Sequence, residues 1–358
     1  MSTDTATPGP ARARPAVRAL RTAGGLSLRL DVRATLVVLL LLAVALTASV
    51  ALIGTGDFPI PPGDVLRTLT GGGTPAEEFV VRDLRLPRVL VALLAGTALG
   101  LAGAVFQSVS RNPLGSPDVI GLAQGSTAGA LLVIVLFHGG TAAVAAGSVA
   151  GGLLTGAAIY ALAWKRGVHG HRFVLVGIAA AAVLTAVIGY LLTKANLTDA
   201  ARATVWMVGS LNGRDWSQVW PLLAVCAVLV PLVLGHGRPL RMLEMGDDAA
   251  HALGVPVERT RIVTMGAAVL LTAAATAAAG PIAFVALSAP QLARRLTRSP
   301  GPCLTAAACT GATLLVTADW ACQQVFGAGR LPVGAVTGML GGCYLLWLLY
   351  TERRAGRI

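Results

Sequence analysis

The sequence predicts an all-α fold: a polytopic membrane helical bundle of about ten transmembrane helices, with both termini on the cytosolic side. Composition is the first observation. Of 358 residues, 55% are hydrophobic and only 12% are charged, against about a quarter charged in soluble domains. A bilayer rather than water must therefore cover most of the exterior. Segmentation is the second: the apolar residues lie in long runs of Ala, Leu, Val and Gly, as spans of about 20 residues require. Charge placement is the third. Arginine supplies 26 of the 28 basic residues, in short clusters between the runs. With the N-terminus inside and the runs alternating, 20 basic residues fall inside and eight outside, the bias that orients membrane helices. The net charge of +12 forms no basic face on any helix, so no nucleic-acid partner is expected.

Residues 1–33 hold Pro8, Pro10, Pro15 and six arginines without an apolar run, and are expected to form a disordered, basic cytosolic tail. A transmembrane domain follows over 34–358. Its apolar segments run 35–54, 86–108, 117–137, 141–164, 173–193, 217–235, 262–279, 282–293, 303–325 and 332–350. Asn112-Pro113 ends the second, because proline lacks an N–H and restricts the residue before it. The eighth is too short to cross alone and follows Gly280-Pro281. The stretch 262–293 is therefore expected to be a helix and a half-helix folded back, tolerated only where protein buries it. Glycines four apart (Gly96 and Gly100; Gly121, Gly125 and Gly129; Gly147 and Gly151; Gly338 and Gly342) let helix backbones approach closely in lipid.

No catalytic constellation, metal-ligand set or cofactor motif is present. His138, His169, His171, His236 and His251 lie at membrane boundaries and in loops, and Cys226, Cys303, Cys309, Cys322 and Cys343 form no CxxC pair. There is no GxxxxGK[ST] phosphate loop, so ATP-driven work would need a nucleotide-binding partner chain. Asp319 is the one acid well inside a span. It has no basic residue near it in sequence, and a structural hydrogen-bonding role is favoured over a proton relay. A proton-coupled secondary transporter, a channel and a membrane enzyme are the rival classes, and the last would need acid or metal ligands in the bundle.

Three polar segments stand out. Arg85-Leu86-Pro87-Arg88 lies at the outer end of the second helix, where two guanidinium forks could meet carboxylates. Gln107 and the run Arg111-Asn112-Pro113-Leu114 lie at its inner end. The long cytosolic loop 237–261 contains Leu243-Glu244-Met245-Gly246-Asp247-Asp248-Ala249-Ala250-His251-Ala252-Leu253-Gly254, read as one short helix over 243–254. Asp247 and Asp248 suit its positive end, and Gly254 suits its stop. An amphipathic helix outside the membrane needs a second surface, which a partner protein could supply.

In order along the chain, seven motifs together resemble the permease subunits of bacterial ABC importers for iron–siderophore complexes, haem and cobalamin. They are RLPR at 85–88, Gln107 with RNPL at 111–114, GSPDVIG at 115–121, the WxxGSL segment at 206–211, MGDDAAHALGV at 245–255, AGPIAFVALSAPQLARRLTRSPG at 279–301 and LPVGAVTGMLGG at 331–342. Pro290-Gln291, with ARRLTRSPG and GGCYLLWLL, is most similar to the enterobactin-type ferric siderophore permeases. The resemblance implies a multi-pass protein of the bacterial cytoplasmic membrane that translocates a ferric siderophore and has no enzymatic activity of its own. It also implies two separate ATPase subunits inside, an extracytoplasmic siderophore-binding protein outside, and a second permease subunit, identical or different. By the same carry-over, Leu243, Glu244, Gly246, Asp247, Asp248, Ala249, His251, Leu253 and Gly254 form the coupling helix for the ATPase. Arg85, Arg88 and Arg330 dock the binding protein. Gln107, Arg111, Asn112 and Pro113 belong to a helix-end motif beside the pathway, which the second and fifth helices and the last block would line. Cobalamin or haem is the alternative cargo within the family.

Overall fold

The computed structural model describes residues 17–21, 27–164, 170–326 and 331–354. The sequence expectations for 1–16, 22–26, His169 and Arg330 fall outside them. Within the tail, β1 (Val17–Arg21) and β2 (Ser27–Asp31) pair antiparallel with Leu20 opposite Leu28. The alternation Ser-Leu-Arg-Leu-Asp at 27–31 has the period of a strand but is too short to register as an apolar run.

Every other described element is helical. In chain order they are α1 (Val32–Gly54), α2 (Pro62–Leu69), α3 (Pro75–Glu78), a π-helical turn (Phe79–Arg85), α4 (Leu86–Ser110), α5 (Leu122–Leu136), α6 (Thr141–Ala163), α7 (Gly170–Lys194) and α8 (Leu197–Val208). Then come α9 (Trp216–Gly235), α10 (Gly237–Glu244), α11 (Asp247–Ala252), α12 (Val257–Ala279), α13 (Val285–Thr297), α14 (Leu304–Phe326) and α15 (Val333–Arg354). Each apolar segment read from the sequence overlaps one of these helices. By length and composition alone, six are clear candidates to cross a bilayer: α1, α4 with its preceding turns, α6, α7, α9 and α12.

Local chemistry explains the boundaries. Asp31 caps α1 by accepting the N–H groups of Arg33 and Ala34, which satisfies two of the four orphan donors of a helix start. Asp215 and Gln218 form a capping box on α9, and the hydrogen bonds from Ser217 hold the Asp215 carboxyl below its ordinary range. The third apolar segment becomes helical only at Leu122, because Gly121 takes a left-handed backbone (φ 87°) after the turn at Pro117. At the far end of α12, Gly280 (φ 77°) and Pro281 break the chain, and α13 starts after Phe284 (φ 67°). The fold-back expected for 262–293 is therefore present. The segment 243–254 departs from expectation: it is two helices, α10 and α11, because Gly246 adopts φ 116° between them.

The buried centre is α4, which packs against α14, α12, α13 and α9. A Cβ added at Gly96 would collide with the carbonyl of Gly311, one at Gly100 with that of Ala307, and one at Gly103 with that of Ala286. Gly125 and Gly129 on α5 meet Gly151 and Gly147 on α6 in the same way. In lipid, where no hydrophobic gain separates helix from hydrocarbon, such backbone proximity supplies dispersion contact. Gly338 and Gly342 on α15 differ, since a Cβ at either would meet none of the described residues within 4 Å.

Gly96→Leu should therefore overpack the α4–α14 contact and cost about 1–3 kcal/mol, seen as a lower midpoint of thermal unfolding in detergent. Gly338→Leu should leave that midpoint unchanged.

Candidate functional site

Two polar layers interrupt the apolar bundle, one at each end of α4. At its C-terminal end, Arg111 takes a left-handed backbone (φ 51°) and Asn112-Pro113 prevents continuation. Asn112 Oδ1 accepts the N–H of Leu114. Gln107 Nε2 donates to the Leu287 carbonyl at 3.0 Å, and Gln291 Nε2 to the Pro113 carbonyl at 2.7 Å. These two amides tie the end of α4 to α13 in both directions.

The pair α10–α11 sits against this layer. Glu244 Oε1 accepts from Ser108 Oγ at 2.8 Å and from Arg294 Nη2 at 2.9 Å. Asp247 receives Arg261 Nη2 on both oxygens, at 3.1 and 3.0 Å, and Arg111 Nη2 at 3.3 Å. Leu243 and Ala250 are buried, whereas Met245, Asp248, His251, Leu253 and Gly254 are exposed. Ala249 lies between these extremes. The segment read as one amphipathic helix thus has two jobs divided by residue. Leu243, Glu244, Asp247 and Ala250 hold it to the bundle. Met245, Asp248, His251 and Leu253 face away, with the Met245 and Leu253 side chains 66% and 58% exposed.

At the other end of α4, Arg88 Nε and Nη2 donate to Asp319 Oδ2 and Oδ1 at 2.8 and 2.7 Å. With the Gln323 amide oriented oxygen-inward, it accepts from Arg88 Nη1 and Nη2 at 2.9 and 3.0 Å. Asp319 is 1% exposed and the Arg88 side chain 17%, so this is a bidentate pair in a largely desolvated place. Arg85 donates to the carbonyls of Ile53 and Phe58 at 2.5 and 2.7 Å, tying the C-terminal end of α1 to the start of α4. Asp319 therefore has the hydrogen-bonding surroundings expected of it, from a partner 231 positions away. Arg85 and Arg88, singled out for a partner's carboxylates, are both occupied within the chain.

Sequence reasoning passed over Ser108, Arg261 and Arg294. Arg261 carried a usable signal: a charge at the start of an apolar span, 4% exposed in the fold, needs a paired acid. Arg294 lies in a motif block that was quoted whole, but nothing local distinguishes it from Arg295.

With this geometry in hand, the comparisons are specific. The model of the FecCD transport family matches residues 31–351. The chain belongs to the FecCD transport family. It is 45% identical over 316 residues to the ferric enterobactin transport system permease protein FepG of Escherichia coli (strain K12), covering 88% of this chain and 96% of that protein. It is 37% identical to the iron(3+)-hydroxamate import system permease protein FhuG of Bacillus subtilis (strain 168), covering 82% and 90%. A vitamin B12 import system permease protein of Escherichia coli O9:H4 (strain HS) is 32% identical, covering 91% and 97%. Among solved structures, an inward-facing metal-chelate type ABC transporter superposes with a TM-score of 0.78 at 23% identity, covering 88% of this chain and 99% of that one. That likeness confirms the helical fold. As a member of this family the protein is a transport component rather than an enzyme.

Removing one member of the Arg88–Asp319 ion pair, as in Asp319→Asn or Arg88→Gln, should cost about 3–5 kcal/mol, because the surviving group is left buried and unpaired. Thermal unfolding in detergent reads the loss, and the double replacement by leucine should recover much of it.

Proposed function

We propose that the protein is the permease subunit of an ATP-driven importer that carries a ferric siderophore across the bacterial cytoplasmic membrane. The observation that carries this reading is the 45% identity, over nearly the whole of both chains, to a ferric enterobactin permease. Separate ATPase subunits energise it, an extracytoplasmic binding protein delivers the cargo, and a second permease completes the pathway. The positive-inside count supports about ten crossings with both termini in the cytosol. The uncovered glycines of α15 support contact with another permease, since small residues are what a close helix neighbour requires.

In this reading α10–α11 is the coupling element. Its outward residues Met245, Asp248, His251 and Leu253 enter a cleft of the ATPase. ATP-driven closure of that partner then shifts α10–α11, and the bundle alternates between outward and inward access. Arg85, Arg88 and Arg330 are kept as docking candidates on the family resemblance. For Arg85 and Arg88, docking requires exchanging the internal partners described above for carboxylates of the binding protein. Gln107, Arg111, Asn112 and Pro113 act as the latch that sets the inner end of α4.

Two measurements test the proposal. Deletion of the gene should abolish uptake of a catecholate-type ferric siderophore from a labelled panel. Loss of cobalamin or haem uptake instead would keep the importer and change its cargo, a reading favoured by the 32% identity to a vitamin B12 permease. In the purified complex, Met245→Asp with Leu253→Asp should abolish co-purification of the ATPase while the permease still inserts. Undiminished co-purification would overturn the docking face.

A further inference from the structure

Glu244 closes α10 and Asp247 opens α11, so the two carboxylates flank the corner at Gly246. Each is gripped by an arginine from a different helix: Glu244 by Arg294 of α13 at 2.9 Å, and Asp247 by Arg261 of α12 at 3.0 Å. Each grip also includes α4, through Ser108 on the first and Arg111 on the second. The corner is therefore pinned on both sides of its one glycine, and to three helices rather than one.

The Arg294 connection leads further. It lies in the last turn of α13, whose first turn is pressed against α4 where Gly103 meets the Ala286 carbonyl. Phe284, the residue that caps α13, packs its ring on Gly341 of α15, leaving no room for a Cβ there. Arg295, beside Arg294, lies over the Trp347 ring of α15 at 5.1 Å. α13 is a short rod following a backbone break, held by α10 at one end and touching α15 at both. α13 thus links the α10–α11 corner to α15, while packing on both α4 and α14 along its length.

We propose that Arg294 and Arg261 are positioning residues for transport. Through Glu244 and Asp247 they convert movement of the ATPase-bound corner into movement of α13 and α12, with the Glu244–Arg294 pair as the route to α15. The inference rests on the coupling role of α10–α11, so its test separates the two ideas. Both pairs are only partly exposed, where charge-assisted contacts retain strength that surface pairs lose.

The experiment uses the complete importer in proteoliposomes, with ferric enterobactin as cargo, or cyanocobalamin if the deletion panel names it. It reads cargo transported per ATP hydrolysed, alongside ATPase co-purification and thermal stability of each variant. Glu244→Gln and Arg294→Gln should retain the ATPase yet lower transport per ATP about tenfold, the scale of a typical coupling energy. The charge swap Glu244→Arg with Arg294→Glu should recover a substantial part, which a merely structural role would not produce. If Arg294→Gln fails to insert, Arg294→Lys, which keeps the charge but loses the planar fork, reads the same ratio and should give an intermediate value. A wild-type ratio in Glu244→Gln and in the Arg294 variant overturns the inference, even where Met245→Asp with Leu253→Asp still releases the ATPase. Retention of the ATPase by that outward-face variant overturns the coupling reading instead.

Discussion

Close approach of its neighbours to α4 is the constraint on which the rest of this structure depends. Gly96, Gly100 and Gly103 present one bare backbone edge after another, and Gly311, Ala307 and Ala286 come down on them. Hydrocarbon chains are as apolar as leucine, so burying apolar side chains gains little inside a bilayer. Contact between backbones, with no side chain between, supplies dispersion energy that lipid cannot match. Because α4 is held this way by α14 and α13, its two ends become fixed points, and the polar chemistry of the protein gathers at them.

Arginine does the polar work at both ends, in different ways. Arg88 spends its fork on Asp319 and Gln323, where the low dielectric strengthens a paired charge and penalises an unpaired one. That arrangement ties the N-terminal end of α4 to α14. At its C-terminal end, Arg261, Arg294 and Arg111 reach for carboxylates on a short helix pair outside the bundle, each through single or shared contacts. A partly hydrated network of this kind can rearrange at lower cost than a closed bidentate pair. The fold thus has a closed, buried ion pair where α4 meets α14, and a more exposed charge network where it meets α10, α11 and α13.

Much of this was legible before any coordinates. Apolar runs gave the long helices because a membrane tolerates no other open backbone arrangement. Gly280-Pro281 announced the break before α13, since both residues oppose helix continuation. The small-residue spacing identified the edges of α4, α5 and α6 that are in contact. The short amphipathic α2 and α8 were not read, because eight to twelve residues with mixed polarity carry too little periodic signal.

The site divides along a similar line. Sequence by itself determined that the chain is a membrane bundle and where its long apolar helices fall, because these follow from local composition and spacing. Only the tertiary structure decided which charges meet. Arg88 and Asp319 lie 231 positions apart, and Glu244 and Arg294 lie 50 apart. An ion pair is a relation between two points in space, and a single sequence records each point without its distance from the other. Folding gave Arg88 an internal partner in Asp319 and turned Asp247 toward the bundle. It left Leu253 exposed, so which residues of this segment turn away from the bundle was settled by packing rather than by residue type.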